Sequence, residues 1–537
     1  MRVTLSWLRE HVDLPAAVSA GDIESALVRV GLEVEELVDL RTCVTGPLVV
    51  GRVETADLVP KLKKAIRFCT VDVGEDTPRG IICGAANFVA GDLVVVALPG
   101  AVLPGGFEIA SRKTYGHVSD GMICSGRELG VTDDHAGIIV LAAGSAQPGQ
   151  EARPLVGLDD VVIELAVTAD RGYCLSARGI ARELSHALDL PFRDPALALH
   201  PTTGTPDGGY PVQVTDQAGC DRFAARAVRD IDPDAQSPEW MRRRLTAAGV
   251  RCISLPVDIT NYLMLDLGQP MHVFDLGRLR GELVVRRARP GERLTTLDGV
   301  ARVLDAEDMV ICDTGLPGAG AAGVPVSLAA VMGGETSECT PTTTDVLFEA
   351  AHWDPVMVAR TCRRHKLASE ASRRWERGVD RELCLPSIEL AVRLLVEYGG
   401  GTADPVVLDI DTGVSRPRVS LPADLPARTA GVSYPAARVV ELLTAVGCQV
   451  TGEDPLLVTA PTWRPDLTDP ADLVEEVVRL DGYDRVPSVL PVAPPGAGLT
   501  DRQRRRRSVG RALAEAGYVE VLCYPFLAPD VFDQLNL

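Results

Sequence analysis

The stretch from Pro256 to Asp275 sets one polar side chain after another among large apolar ones. Its polar members are Asp258, Thr260, Asn261, Gln269 and His272. A buried amide or carboxylate without a partner is expensive, so such a segment either forms a satisfied structural network or lines a polar pocket. The structural network is the commoner use of buried polar residues. From the residues alone, both interpretations stay open.

A second group of chemically capable residues surrounds a predicted helix that starts at Pro470, with Asp469 as its N-cap. The carboxylates in question are Asp466, Asp472, Glu475 and Glu476. Carboxylates at this spacing either complement the helix dipole and face water, or gather a hard cation such as Mg²⁺. The pattern by itself favours solvent, because acidic first turns are common.

Two basic clusters stand out in an otherwise acidic chain. The first comprises Lys61, Lys63, Lys64 and Arg67; the second comprises Arg502, Arg504, Arg505, Arg506 and Arg507. A run of charges is more often a solvated face than an RNA site. With a formal net charge of −20, any contact with RNA has to come from such local patches and not from the field of the whole molecule.

Composition places the chain among globular proteins. Its 537 residues are enough for three or more domains, and 46% hydrophobic with 24% charged residues is ordinary. The amino terminus carries Arg2, Arg9 and Glu10 instead of an apolar leader, and no apolar run is long enough to span a membrane. Thirteen cysteines without a CxxC pair are typical of reduced thiols. We therefore expect a cytoplasmic protein with no membrane partner.

The elements that must position these residues follow from periodicity. Residues 1–40 predict helices that are too short to bury a core alone, and the strand and amphipathic helix predicted at 161–188 are their expected complement. Between them, short β-type runs broken by Gly, Pro and Asp predict a small barrel, for which an OB-fold is the natural candidate. A helix is predicted after Ser237 as N-cap, with Pro238 at its first position.

Four motifs then occur in one order: VDITNY, GQPMH, VMGG and RRWERGVD. In this the chain resembles the β subunit of bacterial phenylalanine–tRNA ligase over nearly all of its length. The resemblance implies an α+β multidomain fold, with an OB-type β-barrel inserted in an N-terminal α+β domain, a central α+β editing module, a winged-helix-like domain and the start of a class II synthetase-like domain. The implied ranges are 1–40 plus 151–192, 41–150 (tRNA-binding type), 210–400 (B3/B4 type), 407–487 (B5 type) and 498–537.

The resemblance also implies a function. A β subunit supports the ATP-dependent attachment of Phe to its tRNA by an α subunit, and it hydrolyses mischarged Tyr-tRNA. Implied partners are the α subunit, in an α₂β₂ heterotetramer, and tRNA(Phe); implied cofactors are Mg²⁺ and ATP, the latter bound mainly by the α subunit. A free-standing aminoacyl-tRNA editing hydrolase and a non-enzymatic tRNA-binding or assembly module remain as alternatives. Because the family continues beyond the position of Leu537, we expect this sequence to be C-terminally incomplete.

Matching by motif assigns the site residues. Glu349 corresponds to the glutamate that recognises a phenol, while His272, Thr260 and Asn261 correspond to the residues at the ester end. The implied pocket residues are Ala330, Gly333, Ser369 and Ala371. Asp466, Asp472, Glu475 and Glu476 correspond to a Mg²⁺ site at the junction with the α subunit, and Lys61, Lys63, Lys64 and Arg67 to a tRNA contact. Three departures weaken the match, namely Ala330 where Gly is usual, Ser369 where Thr is usual, and Ser254 in the lead into VDITNY.

Overall fold

The computed structural model describes residues 1–15, 17–60, 65–131, 137–199, 201–492, 496 and 498–537. They form two compact units, Met1–Val486 and Pro487–Leu537. Within the described ranges, none of the helices combines the length and the apolar character that crossing a membrane would require. Lys61, Lys63 and Lys64, three of the predicted tRNA-binding residues, lie outside the described residues.

The chain opens with two short helices between two strands. These are β1 (Arg2–Thr4), α1 (Leu5–His11), α2 (Ala20–Arg29) and β2 (Glu33–Asp39). Ser19 and Asp22 form a capping box that starts α2, which satisfies backbone N–H groups of its first turn.

A nearly closed barrel follows. Its strands are β3 (Leu48–Leu58), β4 (Arg67–Asp72), β5 (Arg79–Cys83), β6 (Leu93–Ala97), β7 (Val102–Leu103), β8 (Phe107–Glu108), β9 (Arg112–Thr114), β10 (His117–Ser119), β11 (Met122–Ile123) and β12 (Val140–Leu141). The main sheet has the order β11-β6-β3-β4-β5, with β12 also on β6. The Asp120 N–H donates to the Gly80 carbonyl at 2.8 Å, which brings the chain beside β11 back to β5.

After the barrel the chain returns to its beginning. The next elements are β13 (Val161–Ala166), α3 (Ala177–Leu188) and α4 (Pro195–Ala198). Strand β13 lies between β1 and β2 and is antiparallel to both. Trp7, Ile23 and Ile180 are fully buried in the core that these segments share, so the first and the later segment bury apolar surface together.

The central region contains two five-stranded sheets. Its elements are β14 (Val212–Val214), β15 (Cys220–Arg229), α5 (Glu239–Ala247), α6 (Leu255–Asp266), β16 (His272–Asp275), β17 (Leu283–Arg287), β18 (Arg293–Thr295), β19 (Ala301–Val303), β20 (Met309–Asp313), β21 (Val324–Leu328), β22 (Met332–Gly333), β23 (Val346–Trp353), α7 (Pro355–His365), α8 (Glu370–Trp375), α9 (Cys384–Gly399), β24 (Thr402–Ala403) and β25 (Leu408–Asp411). The first sheet has the order β16-β23-β15-β24, with β25 on β15, and the second has the order β14-β17-β20-β21-β22.

Alternation along β23 decides what each face of the first sheet contacts. Val346, Phe348 and Ala350 belong to the core that contains helices α6 and α9. Leu347 and Ala351 belong to the core that contains the second sheet. Glu349 shares the parity of Leu347 and Ala351, so it faces the second sheet.

The last part of the first unit has a core of its own. Its elements are β26 (Arg418–Leu421), α10 (Leu425–Ala430), α11 (Ala436–Val446), β27 (Gln449–Thr451), β28 (Leu456–Thr459) and α12 (Pro470–Asp481), with strand order β26-β28-β27. The predicted start of α12 is confirmed, because Asp469 is its N-cap and Pro470 its first residue.

The second unit contains α13 (Asp501–Glu515) and α14 (Val531–Gln534). From the sequence we expect a basic helix followed by a β-run in this unit. The helix is present as α13, but the β-run is wrong, since residues 518–525 form no strand. In coarse terms the predicted mixed α+β fold with a barrel is confirmed; the ranges of the individual domains remain predictions.

Candidate functional site

His272 and Glu349 lie directly opposite each other on neighbouring antiparallel strands, β16 and β23. Side chains of directly opposed residues share one face of the sheet, with Cβ atoms about 4.5–5.5 Å apart. The imidazole and the carboxyl group therefore both face the space between the two sheets. Strand pairing brings together two groups that are far apart in the sequence.

Burial disfavours the charged form of both groups. Glu349 is 6% exposed, and burial raises the pKa of its carboxyl to about 8. Burial lowers the pKa of His272 to about 4. At neutral pH the imidazole is uncharged and the carboxyl is mostly protonated. Although His272 is only partly buried as a residue, its Nε2 atom is enclosed and has no hydrogen-bond partner in the described part of the chain.

Packing fixes the orientation of the imidazole. A side chain on Gly333 would overlap the Cε1 atom of His272 and would lie 3.0 Å from its Nε2 atom. The Phe274 ring meets the imidazole edge-on, with 4.4 Å between ring centroids. The resemblance implied Gly333 as a pocket residue; in the structure its lack of a side chain leaves room for the imidazole ring.

The other predicted pocket residues border the turn between β21 and β22. Ala330 has a φ of 64°, in the left-handed region. Ser369 is the N-cap of α8, and its hydroxyl donates to the Val331 carbonyl at 3.0 Å. Ala371 packs against the core between the two sheets. Ser369 thus ties α8 to the turn that precedes Gly333.

Thr260 and Asn261 lie on α6, and no hydrogen bond in the described structure joins either of them to His272 or Glu349. Thr260 donates to the Val257 carbonyl at 2.7 Å within its own helix. Asp258 accepts from the Ser237 hydroxyl at 2.6 Å. Gln269 donates to the carbonyls of Pro270 and Ala351, both at 3.0 Å. Asp258, Thr260 and the amide nitrogen of Gln269 are thus paired in a structural network, whereas the Oε1 atom of Gln269 and the Nε2 atom of His272 are buried without a hydrogen-bond partner in the described structure.

The four carboxylates around α12 already have partners within the chain, and the Mg²⁺ site at the junction with an α subunit stays a prediction. Oε1 of Glu476 accepts from Arg171 at 2.6 Å and Arg464 at 3.0 Å, and Oε2 accepts from Arg464 and Arg479, both at 2.7 Å. A carboxylate has about four lone-pair sites, so none is left for a cation. Over the described ranges, no group of three or more His, Cys, Asp or Glu side chains is arranged to hold a metal ion.

The remaining three carboxylates also have partners inside the chain. Asp466 accepts from Arg464 at 2.7 Å. Asp472 accepts the backbone N–H groups of Thr468 at 2.9 Å and Asp469 at 2.8 Å, which completes a capping box. Glu475 accepts from Arg171 at 2.7 Å and from the Tyr483 hydroxyl at 2.6 Å. All four predicted ligands thus have arginine, tyrosine or backbone N–H partners in the described structure.

The arginines around Glu476 had not been singled out as functional residues. Although burial alone would raise the pKa of Glu476, Arg479 and Arg464 hold it well below its ordinary value. Arg479 also pairs with Glu183 on α3, and Arg171 precedes the same helix. A buried arginine and glutamate cluster thus joins α12 to the N-terminal part of the chain. The sequence feature that could have indicated this cluster is Arg171, which lies in the stretch TADRGYCLS before α3.

Two further features bear on the predicted sites. Arg67, the described member of the first basic cluster, starts β4 and stacks over the Phe88 ring at 5.6 Å.

A surface cleft is lined by Tyr173, Arg178, Arg182, Arg374 and Trp463, among others, and by none of the predicted site residues. The guanidinium groups there are paired with Asp194, Asp380 and Glu370, so the cleft offers no free cation to a ligand.

Four family models match the chain. They are "Putative tRNA binding domain" at residues 48–151, "B3/4 domain" at 219–400, "tRNA synthetase B5 domain" at 419–483 and "Phenylalanyl tRNA synthetase beta chain CLM domain" at 486–536. His272 and Glu349 both fall within the B3/4 match.

Two similar curated proteins are both named phenylalanine–tRNA ligase beta subunit. The phenylalanine–tRNA ligase beta subunit of Streptomyces avermitilis is 54% identical over 544 residues, and that of Thermobifida fusca is 53% identical over 542; each alignment covers 100% of this chain and 64% of the relative. A solved N-terminal fragment of the phenylalanyl-tRNA synthetase β subunit from Pyrococcus horikoshii aligns with 90% of this chain and 99% of its own at 11% identity, with a TM-score of 0.36. The chain spans about 64% of the length of the two relatives. Over its whole length the chain is thus similar to phenylalanine–tRNA ligase β subunits, at about half of the aligned positions identical.

Proposed function

We propose that this chain hydrolyses tyrosine wrongly attached to tRNA(Phe), as the editing subunit of a cytoplasmic phenylalanine–tRNA ligase. The observation that carries the proposal is the cross-strand pair of His272 and Glu349, two buried polar groups on one face of the first sheet. Attachment of Phe with ATP would be the work of an α subunit in an α₂β₂ assembly, and the barrel would contact the tRNA as an OB-type domain.

A hydrolytic site of this kind has a physical purpose. An apolar pocket that accepts Phe rejects an added hydroxyl only modestly, so a second site must recognise that hydroxyl directly. A phenol can exchange hydrogen bonds with the Glu349 carboxyl, whereas a phenyl ring would leave this buried group without a partner. Because the pKa of Glu349 is about 8, the group that meets the phenol at neutral pH is mainly a carboxylic acid, and a carboxylate only above that pH.

His272 would act at the ester end. Its Nε2 atom is enclosed and lacks a partner in the described structure, so it can hold a water molecule beside the ester carbonyl. An imidazole with a pKa of about 4 is a weak base at neutral pH, so its main contribution is to orient this water. Thr260 and Asn261 would act in this site only through helix α6, since they share no hydrogen bond with the pair.

The matches to the B5 and CLM models favour a synthetase subunit over the two alternatives. A free-standing hydrolase has no use for these domains, and a purely RNA-binding module has no use for an unpaired imidazole beside a buried acid. We route no step through Mg²⁺, because the residues that the resemblance implied as its ligands are already paired with arginines or backbone N–H groups.

Deacylation of preformed Tyr-tRNA(Phe) tests the proposal. We expect Glu349→Ala to slow the clearance of Tyr-tRNA on the order of 10- to 100-fold, since the phenol loses its buried partner. Glu338→Ala is the matched control, because Glu338 is an exposed glutamate of the same region. Wild-type clearance by Glu349→Ala would remove the role assigned to this residue.

A further inference from the structure

The β18–β19 hairpin lies beside the candidate site. The Leu297 N–H donates to the Gly333 carbonyl at 3.0 Å, and Thr296 forms a β-bridge with Gly334. The Leu297 Cδ1 atom lies 3.2 Å, and the His272 Nε2 atom 3.0 Å, from the point that a Gly333 side chain would occupy. The leucine side chain and the imidazole therefore meet over the same glycine.

The tip of this hairpin is held rigidly. The Asp298 carboxylate accepts from the Thr296 hydroxyl at 2.6 Å, the Val300 N–H at 3.2 Å and Arg302 at 2.5 Å. Arg302 also donates to the Thr296 hydroxyl at 2.9 Å and to the His365 carbonyl at 3.2 Å, which anchors the hairpin to α7. A preorganised turn of this kind presents its side chains in fixed positions at low entropic cost.

Two apolar side chains at this rigid tip are not covered. Leu297 is 42% exposed and Val300 is 46% exposed. On its inner side Leu297 is near the imidazole, which we assign to the ester end of the substrate. In an aminoacyl ester the carbonyl joins the amino acid to the nucleoside. With the amino-acid side chain directed to the buried Glu349, the nucleoside has to lie outward from His272, on the side of Leu297.

We propose that Leu297, with Val300, forms an apolar lip that packs against the 3′-terminal nucleoside of the acylated RNA. Leu297 is thereby a specificity-determining residue that favours RNA esters over other esters of the same amino acid. The inference rests on the proposed hydrolytic function, and it extends that function from the amino acid to the nucleoside.

The test compares three tyrosyl esters that share the scissile bond: Tyr-tRNA(Phe), tyrosyl-adenosine and tyrosine ethyl ester. For Leu297→Ala we expect KM to rise about five- to tenfold for the two nucleoside esters, with kcat within about twofold, because roughly 50 Å² of apolar contact is lost. The ethyl ester should be hydrolysed as by wild type. Leu297→Met should restore KM, and Val303→Ala, at a 55% exposed position on the same hairpin, is the control.

Two outcomes of this comparison would overturn the lip. An equal effect on the ethyl ester would show that Leu297 contacts the aminoacyl group, and an unchanged KM on all three esters would show that it contacts no substrate. Failure of the wild-type chain to hydrolyse any ester would instead overturn the proposed function.

If the wild-type chain hydrolyses none of the esters, a binding measurement tests separately whether Leu297 contacts the nucleoside. The probe is the non-hydrolysable amide analogue of tyrosyl-adenosine, titrated by calorimetry into wild type and Leu297→Ala. Binding weakened five- to tenfold by the substitution supports the lip. Equal binding, or none by the wild type, overturns it.

Discussion

At the scale of the residue, Gly333 decides where the imidazole of His272 can sit. Any side chain at this position would occupy the volume of the ring. The position has no special backbone requirement, because its φ is not in the left-handed region. The need for glycine is therefore purely steric and is specific to its neighbour.

This steric origin gives a prediction for Gly333→Ala. The added methyl should displace His272, reduce Tyr-tRNA clearance at least tenfold and lower the free energy of unfolding by about 1–3 kcal/mol. Chemical denaturation and deacylation assays measure both effects. In a His272→Ala background the same substitution should cost much less, because only the 3.2 Å approach to the Leu297 Cδ1 atom remains, and an undiminished penalty there would contradict the predicted clash. Gly510→Ala, where a methyl meets nothing within 4 Å, is the control.

Ala330 illustrates strain at a single residue. The resemblance implies a glycine at this position, where the chain has Ala330. The structure gives Ala330 a φ of 64°. A side chain in the left-handed region costs roughly 1–2 kcal/mol. The departure therefore falls at a position where glycine would have been the easier choice, in the turn that leads to Gly333.

The opposed pKa shifts of Glu349 and His272 predict how stability depends on pH. The folded state holds the Glu349 proton more tightly than the unfolded state, so this contribution to stability falls as pH rises from 4.5 to about 8. The folded state holds the His272 proton less tightly, so its contribution rises as pH rises from about 4 to 6.5. Of these two contributions to stability, that of Glu349 is the one that changes most between pH 6.5 and 8.

We therefore expect wild type to lose about 2 kcal/mol through Glu349 between pH 6.5 and 8, and Glu349→Gln to lose none of it. Urea unfolding at the two pH values, compared between wild type and this variant, isolates the contribution. Glu338→Gln should behave as wild type. A difference between wild type and Glu349→Gln that stays constant across this window would show that Glu349 is not buried as described.

At the scale of the element, helix α12 shows how local and distant interactions divide. Its start follows from Asp469 and Pro470, two adjacent residues whose effect is confined to the first turn. Its buried carboxylate, Glu476, is satisfied by Arg479 of the same helix and by Arg171 and Arg464 from outside it. The i,i+3 spacing within the helix could have indicated Arg479, but no spacing could have indicated the other two partners.

This arginine cluster predicts that Glu476 is structural. Glu476→Gln should lower the free energy of unfolding by about 3–5 kcal/mol, because it leaves buried guanidinium groups without their counter-charge. Glu475→Gln, at a side chain 41% exposed, should change it by less than about 1 kcal/mol. Calorimetric unfolding with and without millimolar Mg²⁺ measures both. A stabilisation of wild type by Mg²⁺ that Glu476→Gln abolishes would restore the metal site.

Helix α5 gives a smaller example of the same division. Ser237 was predicted as its N-cap, but Pro238 occupies that position, and the Ser237 hydroxyl donates to Asp258 on α6 instead. Its bond to the buried carboxyl group of another helix orients the hydroxyl, and no side chain caps the first turn of α5.

At the scale of the whole molecule, the net charge limits how the chain can contact a polyanion, whereas the order of the matched domains indicates which proteins it resembles. The net charge of −20 says only that contacts with a polyanion must be local. The order of the four matched domains between residues 48 and 536 indicates similarity to a tRNA synthetase β chain. All thirteen cysteines are free, as expected from their number and spacing, so the cores are held by packing and buried ion pairs.

The sequence by itself determined the resemblance to the β-subunit family, the mixed α+β class with its barrel, and helix ends such as that of α12. These features depend on motif order, on periodicity and on residues within one turn of each other. Tertiary structure alone decided that His272 opposes Glu349, that Gly333 makes room for the ring, and that Arg171 and Arg464 pair with Glu476. The reason is physical: whether a polar group is satisfied depends on which distant segment the fold packs against it, and strand pairing and domain packing choose that segment.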